Sequence, residues 1–290
     1  MTLVDGQVQV RDLVLGCGTP YRVTEFDPWS RQVRDDAAGG ARPWSGGTWY
    51  GAEFVDEAVV PWLVYIAAES QAEWLALHQE LIAAFEPVGA DALDVELRFG
   101  VAGSEFVMFG RPRMAQMDRG RMRVGKGRSW TSVAFVAPGG RIFSGEEQVQ
   151  ALGLPRFEGG LTVGVGETLG TVPFTVDGVQ VDGRADIVNA GKAATPLLVR
   201  IDGPAPAPRF SVQHPNGDVE TLRLLFDLQA GQWVDIDTSA HTVMLQGVAS
   251  RRGQATGDFP VLQPGTSTIR FNAAAFNDQA AMAARWRHAW

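Results

Sequence analysis

Apolar and polar positions alternate with a period of two along most of the chain. Leu197, Val199 and Ile201 point one way, for example, while Leu198 and Arg200 point the other. Such alternation is typical of half-buried β-strands, and Gly, Pro or Asn bounds most of these segments. We predict strands over 7–15, 21–26, 50–54, 59–65, 93–99, 105–109, 129–136, 180–189, 197–201, 209–213, 221–228, 232–237, 242–246, 268–271 and 281–290.

One stretch follows the helical period instead. Ser70 and Glu73 form a capping box, in which the hydroxyl and the carboxylate each satisfy a free backbone N–H. Pro87 and Gly89 then supply the stop. We predict an α-helix over 71–86. Its apolar face consists of Trp74, Leu77, Leu81 and Phe85, widened by Leu75 and Ile82.

A charged, glycine-rich stretch over 30–49 shows neither period. We predict a long exposed loop or arm, because loops of this length in compact domains are usually functional or mobile. Trp44 and Trp49 have two alternative roles. They fold back on their own domain, or they anchor on a neighbouring subunit, with Arg31 and Arg34 making polar contacts there.

A basic run follows between 111 and 128. The sequence of its segment 120–127 is similar to that of a phosphate-binding loop. However, Gly127 occupies the position of the Ser or Thr that would bind magnesium, and no helix pattern follows. We therefore reject nucleotide binding. Arg119, Arg121 and Arg123 alternate, so we expect them on one solvated strand face, available to an acidic partner or a subunit interface.

Length and composition set the organisation. The chain has 290 residues with 45% hydrophobic content, which is enough for two domains with their own cores. Turn-rich segments between 137 and 158 indicate the boundary between the two domains, and we predict domains 1–145 and 146–290. The net charge of −8 argues against a nucleic-acid surface. We expect no signal peptide and no membrane span.

The sequence shows no arrangement of residues that is typical of a catalytic or metal-binding site. The four histidines are scattered without ligand spacing, Cys17 is the single cysteine, and no nucleophile-elbow motif occurs. Asp235 and Asp237 project from one strand face, but they lack nearby oxygen ligands, and we expect them to be solvated. We predict no enzymatic activity, no cofactor and no metal.

The second half carries a set of motifs in a fixed order. These are VNAGKAATPLLVRIDGP (188–204), GQWVDIDT (231–238), VMLQG (243–247), FPVLQPGTSTIRF (259–271) and the terminal RWRHAW (285–290). Together they resemble the galectin-like domain of siphophage distal tail proteins, which actinophages often carry as minor tail proteins. RIFSGEEQ (141–148) is similar to the hinge of that family.

The resemblance implies a mainly β chain. Its N-terminal domain would be β-barrel-like and ring-forming, with one helix, and its C-terminal domain a galectin-like antiparallel β-sandwich. The implied function is a structural distal tail hub in the virion, made in the bacterial host cytoplasm. Its implied partners are five further copies in a hexameric ring, the tail tube protein and the tail tip or baseplate hub proteins.

A second hypothesis comes from a different class of protein. The sandwich could be a carbohydrate-binding or adhesion module, which needs an aromatic platform on its surface. Trp233, Trp286 and Trp290 are the candidates for that platform. A hub must instead form a ring, so size in solution separates the two hypotheses.

Overall fold

A computed structural model provides the structure of the protein. It describes residues 3–30, 33–35, 40–41, 44–49, 53–87, 89, 94–117, 127–158, 161–163, 174–176, 179–181 and 183–290. These residues are mainly β, with one α-helix among them. The chain divides into two compact units, Met1–Glu146 together with Trp290, and Glu147–Ala289.

The first unit is built on one antiparallel sheet. Its elements are β1 (Val8–Val10), β2 (Leu13–Leu15), β3 (Tyr21–Thr24), β4 (Val33–Asp35), β5 (Gly40–Ala41), β6 (Thr48–Trp49), β7 (Glu53–Val55), β8 (Ala58–Ala67), α1 (Gln71–Ala84), β9 (Val95–Val101), β10 (Ser104–Met117), β11 (Arg128–Ala137) and β12 (Phe143–Ser144). The sheet runs in the order β2-β1-β9-β10-β11-β8-β3, and β12 pairs with β10. Its two end strands meet where the Gly16 N–H donates to the Tyr21 carbonyl (2.8 Å), so the sheet nearly closes into a barrel.

Aromatic side chains fill the core of this unit. Trp62 on β8 and Phe99 on β9 are buried, and the Phe26 ring meets each of them edge-on with centroids 5.4 Å apart. Phe85, just after α1, meets Trp62 at 5.6 Å. Edge-to-face packing of this kind adds to the hydrophobic burial. Because buried and less buried positions alternate along β8, its buried side chains lie on the face that packs towards the helix.

The helix begins at the predicted cap. The Ser70 hydroxyl accepts from the Glu73 N–H (3.1 Å), but the Glu73 carboxylate accepts from the Glu69 N–H (2.8 Å), one residue before the partner that a capping box predicts. α1 ends at Ala84, two residues earlier than predicted. The prediction that Leu75 widens the apolar face is wrong, since Leu75 is 49% exposed.

A turn splits the predicted strand over 7–15. Arg11, with φ +54°, and Asp12 separate β1 from β2, which pair with each other. The prediction of one strand is therefore wrong. The buried positions shift from even numbers (Val8, Val10) to odd numbers (Leu13, Leu15), and that change of phase was the signal in the sequence.

The turn that contains Arg11 and Asp12 also caps the C-terminal end of α1. Arg11 donates from its guanidinium to the carbonyls of Ala83 (2.8 Å) and Glu86 (2.6 Å). The last turn of α1 contains no basic residue of its own. A cation at this end complements the helix dipole and satisfies carbonyls that lack partners within the helix.

We expect Arg11→Ala to lower the free energy of unfolding of the first unit by about 1 kcal/mol, because two hydrogen bonds at the helix end are lost. Urea denaturation followed by circular dichroism measures this change. Arg11→Lys is the matched control, since it keeps the charge but not the forked geometry, and it should recover part of the loss. An unchanged midpoint in Arg11→Ala would show that the cap is not stabilising.

The second unit is a β-sandwich. Its strands are β13 (Gln148–Gly153), β14 (Arg156–Glu158), β15 (Leu161–Val163), β16 (Phe174–Val176), β17 (Val179–Val181), β18 (Arg184–Asn189), β19 (Thr195–Pro196), β20 (Leu198–Asp202), β21 (Arg209–Gln213), β22 (Val219–Leu224), β23 (Trp233–Asp237), β24 (Thr242–Leu245), β25 (Ala249–Ser250), β26 (Ala255–Gly257), β27 (Val261–Leu262), β28 (Gly265–Asn272) and β29 (Ala281–Trp286). One sheet has the order β13-β29-β20-β23-β24-β25 and the other β18-β28-β21-β22-β26. Three two-stranded ribbons, β14–β17, β15–β16 and β19–β27, complete the unit's described strands.

The inner faces of the two sheets form one hydrophobic core. Val199 and Ile236 come from the first sheet, and Phe210, Ile269 and Phe271 come from the second, and all are buried in one cluster. This is the packing expected when alternating strands bury one face. The fold-class prediction, a mainly β chain with one helix, a barrel-like N-terminal sheet and C-terminal antiparallel sheets, is confirmed.

Several strand boundaries in this unit differ from the prediction. The predicted strand over 180–189 corresponds to two strands, β17 and β18, and the predicted strand over 221–228 ends at Leu224. β28 begins at Gly265, three residues before the predicted strand over 268–271, and Gly265 has φ +104°. β29 ends at Trp286, so the predicted strand over 281–290 is wrong in its last four residues. Trp290 belongs to the first unit, where it exchanges backbone hydrogen bonds with Ile142 and its ring meets Phe106 edge-on at 5.3 Å.

Candidate subunit interface

The described residues between 30 and 55 include two nested ribbons, and we call this part of the chain the arm. β4 pairs with β7 and β5 pairs with β6, both antiparallel, with Val33 opposite Val55 and Gly40 opposite Trp49. The described residues 44–47 lie between β5 and β6, in the segment that the inner ribbon encloses, and we call them the tip of the arm. A long exposed loop or arm was predicted over 30–49, and the described residues of this stretch include the short strands β4, β5 and β6.

Trp44 lies at the tip of the arm. It has φ +68° and its side chain is fully exposed (104%). Trp49, on β6, is 60% exposed. Of the two roles considered for Trp44, folding back on its own domain does not occur in this structure. A large aromatic side chain presented at the tip of an arm is the kind of residue that anchors an interface.

The other predicted interface residues are less informative. Arg34 lies on β4, and its side chain is outside the description. Arg31, Arg119, Arg121 and Arg123 lie outside the described residues. The structure therefore places the two tryptophans in one segment, the arm, and does not test the predicted role of the basic run.

A groove of about 560 Å³ lies beside the C-terminal half of α1. It is lined by Arg11, His78, Gln79, Ile82, Ala83 and Glu86. The His78 ring stacks on Trp74 with centroids 5.2 Å apart, and burial lowers the pKa of His78. The imidazole in this groove is therefore neutral at neutral pH.

The surroundings of α1 are acidic. The helix carries Glu73 and Glu80 and contains no lysine or arginine, and Glu69 and Glu86 flank it. The Glu80 carboxylate lies 2.6 Å from the Tyr21 hydroxyl, and burial together with that carboxylate raises the pKa of Tyr21. Apart from Arg11, the side chains around the groove are apolar, neutral or anionic.

The sandwich offers no free aromatic platform at Trp233. The Arg200 guanidinium lies 4.0 Å above the centre of the indole ring. It is held there by two hydrogen bonds to Asp235, 2.7 and 2.8 Å long, which raise the pKa of Arg200. One face of Trp233 is thus covered by a cation–π contact.

The predicted solvated carboxylates have structural partners. Asp235 is paired with Arg200, and Asp237 accepts hydrogen bonds from the N–H groups of Ser239 (2.8 Å) and Ala240 (3.0 Å) in the turn that follows β23. The prediction that both are simply solvated is therefore wrong. Each carboxylate has a role in stabilising the sheet or its turn.

A heavily bonded polar residue of the sandwich, Asn189, was not identified from the sequence. Asn189 is buried; its amide donates to the carbonyls of Ala193 (2.8 Å) and Leu262 (3.1 Å) and accepts from the N–H groups of Gly191 (3.1 Å) and Ala289 (3.3 Å). A Cβ at Gly191 would collide with the Ala289 backbone. The Asn–Ala–Gly triplet was visible in the sequence only as part of a motif.

Two features are absent from the described part of the chain. No group of three or more His, Cys, Asp or Glu residues is arranged there to hold a metal ion. Among those same residues, no helix is long and apolar enough to cross a membrane.

Comparison with known proteins gives one family. Residues 190–290 match the model of the siphovirus-type tail component, C-terminal domain. None of the curated protein sequences matches the chain. A crystal structure of phage SPP1 Dit (gp 19.1), described as a paradigm of hub adsorption apparatus in phages infecting Gram-positive bacteria, is similar with a TM-score of 0.63 and 10% identity over 98% of both chains.

A second solved structure has the same fold over almost the same length. A chain of the phage P2 baseplate in its activated conformation with Ca is similar with a TM-score of 0.52 and 11% identity, over 96% of this chain and 97% of that one. Both similarities extend through the first unit, which the family model does not cover.

Proposed function

We propose, on the premise that residues 190–290 belong to the siphovirus-type tail component family, that this chain is the distal hub that connects a phage tail tube to its tail tip or baseplate. The chain is a structural component of a siphophage tail and therefore of the virion. The observation that carries the hub role is the likeness to SPP1 Dit over 98% of both chains, because it includes the N-terminal unit as well as the matched domain. The family is one of structural proteins, in agreement with the prediction of no enzymatic activity.

The first unit forms a closed ring, six-fold by resemblance to the family, and the arm reaches onto the adjacent copy. A head-to-tail contact that closes covers the same surface on every copy and leaves no exposed end. The exposed indole at the arm tip supports this arrangement. Mass photometry of the purified protein is the test, and we expect a particle about six times the 31.3 kDa of the chain. A monomer at micromolar concentration would contradict self-assembly.

The neighbours of the ring are the tail tube protein on one side and the tail tip or baseplate hub proteins on the other. Both assignments come from the family resemblance. Negative-stain microscopy of tails labelled with an antibody against this chain should place it at the distal end of the tube. Labelling along the whole tube would contradict the hub role.

We predict that the sandwich does not bind host sugars appreciably. Trp233, the candidate platform, is covered by Arg200, and Trp286 is buried with its indole N–H donating to the Val188 carbonyl (2.9 Å). Calorimetric titration with host cell-wall polysaccharide should show no heat beyond dilution. Arg200→Ala uncovers Trp233 and serves as the control. Millimolar or tighter binding that Trp233→Ala abolishes would favour the adhesion hypothesis instead.

We further propose that domains 1–145 and 146–290 fold independently. Each unit has its own buried cluster, one around Trp62 and one around Phe271. A fragment 147–290 should be soluble and should unfold in one cooperative transition on heating. Lack of a cooperative transition by circular dichroism would contradict separate folding.

A further inference from the structure

The arm tip and the groove beside α1 are complementary features of one unit. We propose that Trp44, at the tip of the arm of one copy, is inserted into the groove beside α1 of the adjacent copy. This contact rests on the proposed ring, and it names the surface that receives the arm. The occupant is thus a second copy of this chain.

The arm supplies a side chain without a local partner. Trp44 is fully exposed in its own unit, and it follows Pro43, which restricts the backbone just before it. Burying an indole from this starting point gains hydrophobic free energy at little cost in conformational entropy, because the side chain has only two rotatable bonds. The structure shows no such burial within the copy that carries the arm.

The groove has the size and chemistry for an indole. Its volume of about 560 Å³ falls within the range of about 300–1,000 Å³ typical of sites for small molecules. Ile82 and Ala83 give it apolar walls. Arg11 is already fixed by two helix carbonyls, so its planar guanidinium is ordered before any indole stacks on it. The neutral imidazole of His78 adds a second flat surface.

Charge favours the same pairing. Residues 30–55 contain Arg31, Arg34 and Arg42 against Asp35, Asp36 and Glu53, so their charges balance, but the charged residue nearest to Trp44 in sequence is Arg42, two residues away. The receiving helix carries only acidic charges, and Glu69 and Glu86 flank it. Complementary charges of this kind steer association and fix its register.

The two surfaces are different patches of one unit, so the contact is head-to-tail and propagates from copy to copy. A mixing experiment therefore tests it directly. Trp44→Ala removes the tip, and Gln79→Trp fills the groove from an exposed position on α1. We expect each variant alone to be a folded monomer of 31.3 kDa by mass photometry and circular dichroism, a six-fold drop in mass from the ring.

The mixture of the two variants gives the decisive result. The Gln79→Trp copy retains its arm and the Trp44→Ala copy retains its groove, so we expect heterodimers that cannot extend further. Ala76→Trp, exposed on the same helix but outside the groove, is the control and should keep the ring. A mixture that remains monomeric, or a Gln79→Trp protein that still forms rings, would overturn the contact.

Photocrosslinking locates the contact independently of any loss of assembly. Benzoylphenylalanine at position 44 keeps an aromatic tip, and irradiation of the assembled protein should join it to peptides from 71–87 of another copy. Crosslinks to other peptides within an assembled ring would contradict the groove as the contact site but would leave the ring proposal standing. A wild-type protein that is monomeric would overturn both, because no contact between copies would exist.

Discussion

Replacing Asn189 by alanine is expected to lower the free energy of unfolding of the sandwich by about 4 kcal/mol. The amide makes four hydrogen bonds, three of them buried and one partly buried, and each is worth about 1 kcal/mol when lost, with more where a buried group is left without a partner. It joins β18, β27 and Ala289, three segments far apart in sequence. Urea denaturation of the 147–290 fragment, followed by tryptophan fluorescence, measures the change.

The matched control is the same substitution in an exposed turn. Asn216 makes two local hydrogen bonds with Asp218 between β21 and β22, both exposed. We expect Asn216→Ala to cost less than about 1 kcal/mol, because water replaces those bonds. Equal losses at the two positions would show that the buried network contributes nothing beyond an ordinary turn.

Replacing Trp44 and Trp49 together by alanine is expected to convert the proposed ring into a folded monomer. Aromatic anchors commonly contribute about 2 kcal/mol each at an interface, so the pair contributes about 4 kcal/mol, or roughly a thousand-fold in dissociation constant. Both side chains lie on the arm and are mostly exposed in the single copy. Trp44 is fully exposed and Trp49 is 60% exposed, so their loss should lower the melting temperature of the unit less than the loss of a buried tryptophan would. Light scattering and thermal melting measure the two effects separately.

Trp29 provides the control for this double substitution. Its ring packs edge-on against Phe106 (5.2 Å) and Phe99 (6.3 Å) in the first unit. Trp29→Ala should lower the melting temperature without preventing assembly. A double arm variant that is misfolded would show that these tryptophans stabilise their own domain. An intact ring would show that the arm is not the contact.

The sandwich was predictable because burial alone determines its pattern. Ile269 and Phe271 alternate with Thr268 and Arg270, and the structure buries the first pair, while Thr268 is half-buried and Arg270 exposed. The helix was predictable because Ser70 satisfies a backbone group locally. Both signals involve residues close in sequence, and those are the contacts that a sequence shows directly.

The errors arose where distant residues decide the structure. Arg11 adopts a positive φ, and its side chain reaches the end of a helix 72 residues away. Trp290 continues the alternation of β29 in sequence, yet its backbone pairs with Ile142. The interface remains the least predictable part. Trp44 could be proposed as an anchor from the sequence around it. The groove beside α1 could not be predicted, because it forms only where Arg11 and the helix come together in the fold.

The close packing of the backbone around Gly191 has a consequence for the evolution of this fold. Any side chain at this position would strike the Ala289 backbone, and the Gly191 N–H is also held by Asn189. Selection on this fold should therefore preserve both residues while most surface positions drift, even between chains only 10–12% identical. An asparagine two residues before a glycine at the end of this strand would then mark distant relatives that overall sequence similarity no longer reveals.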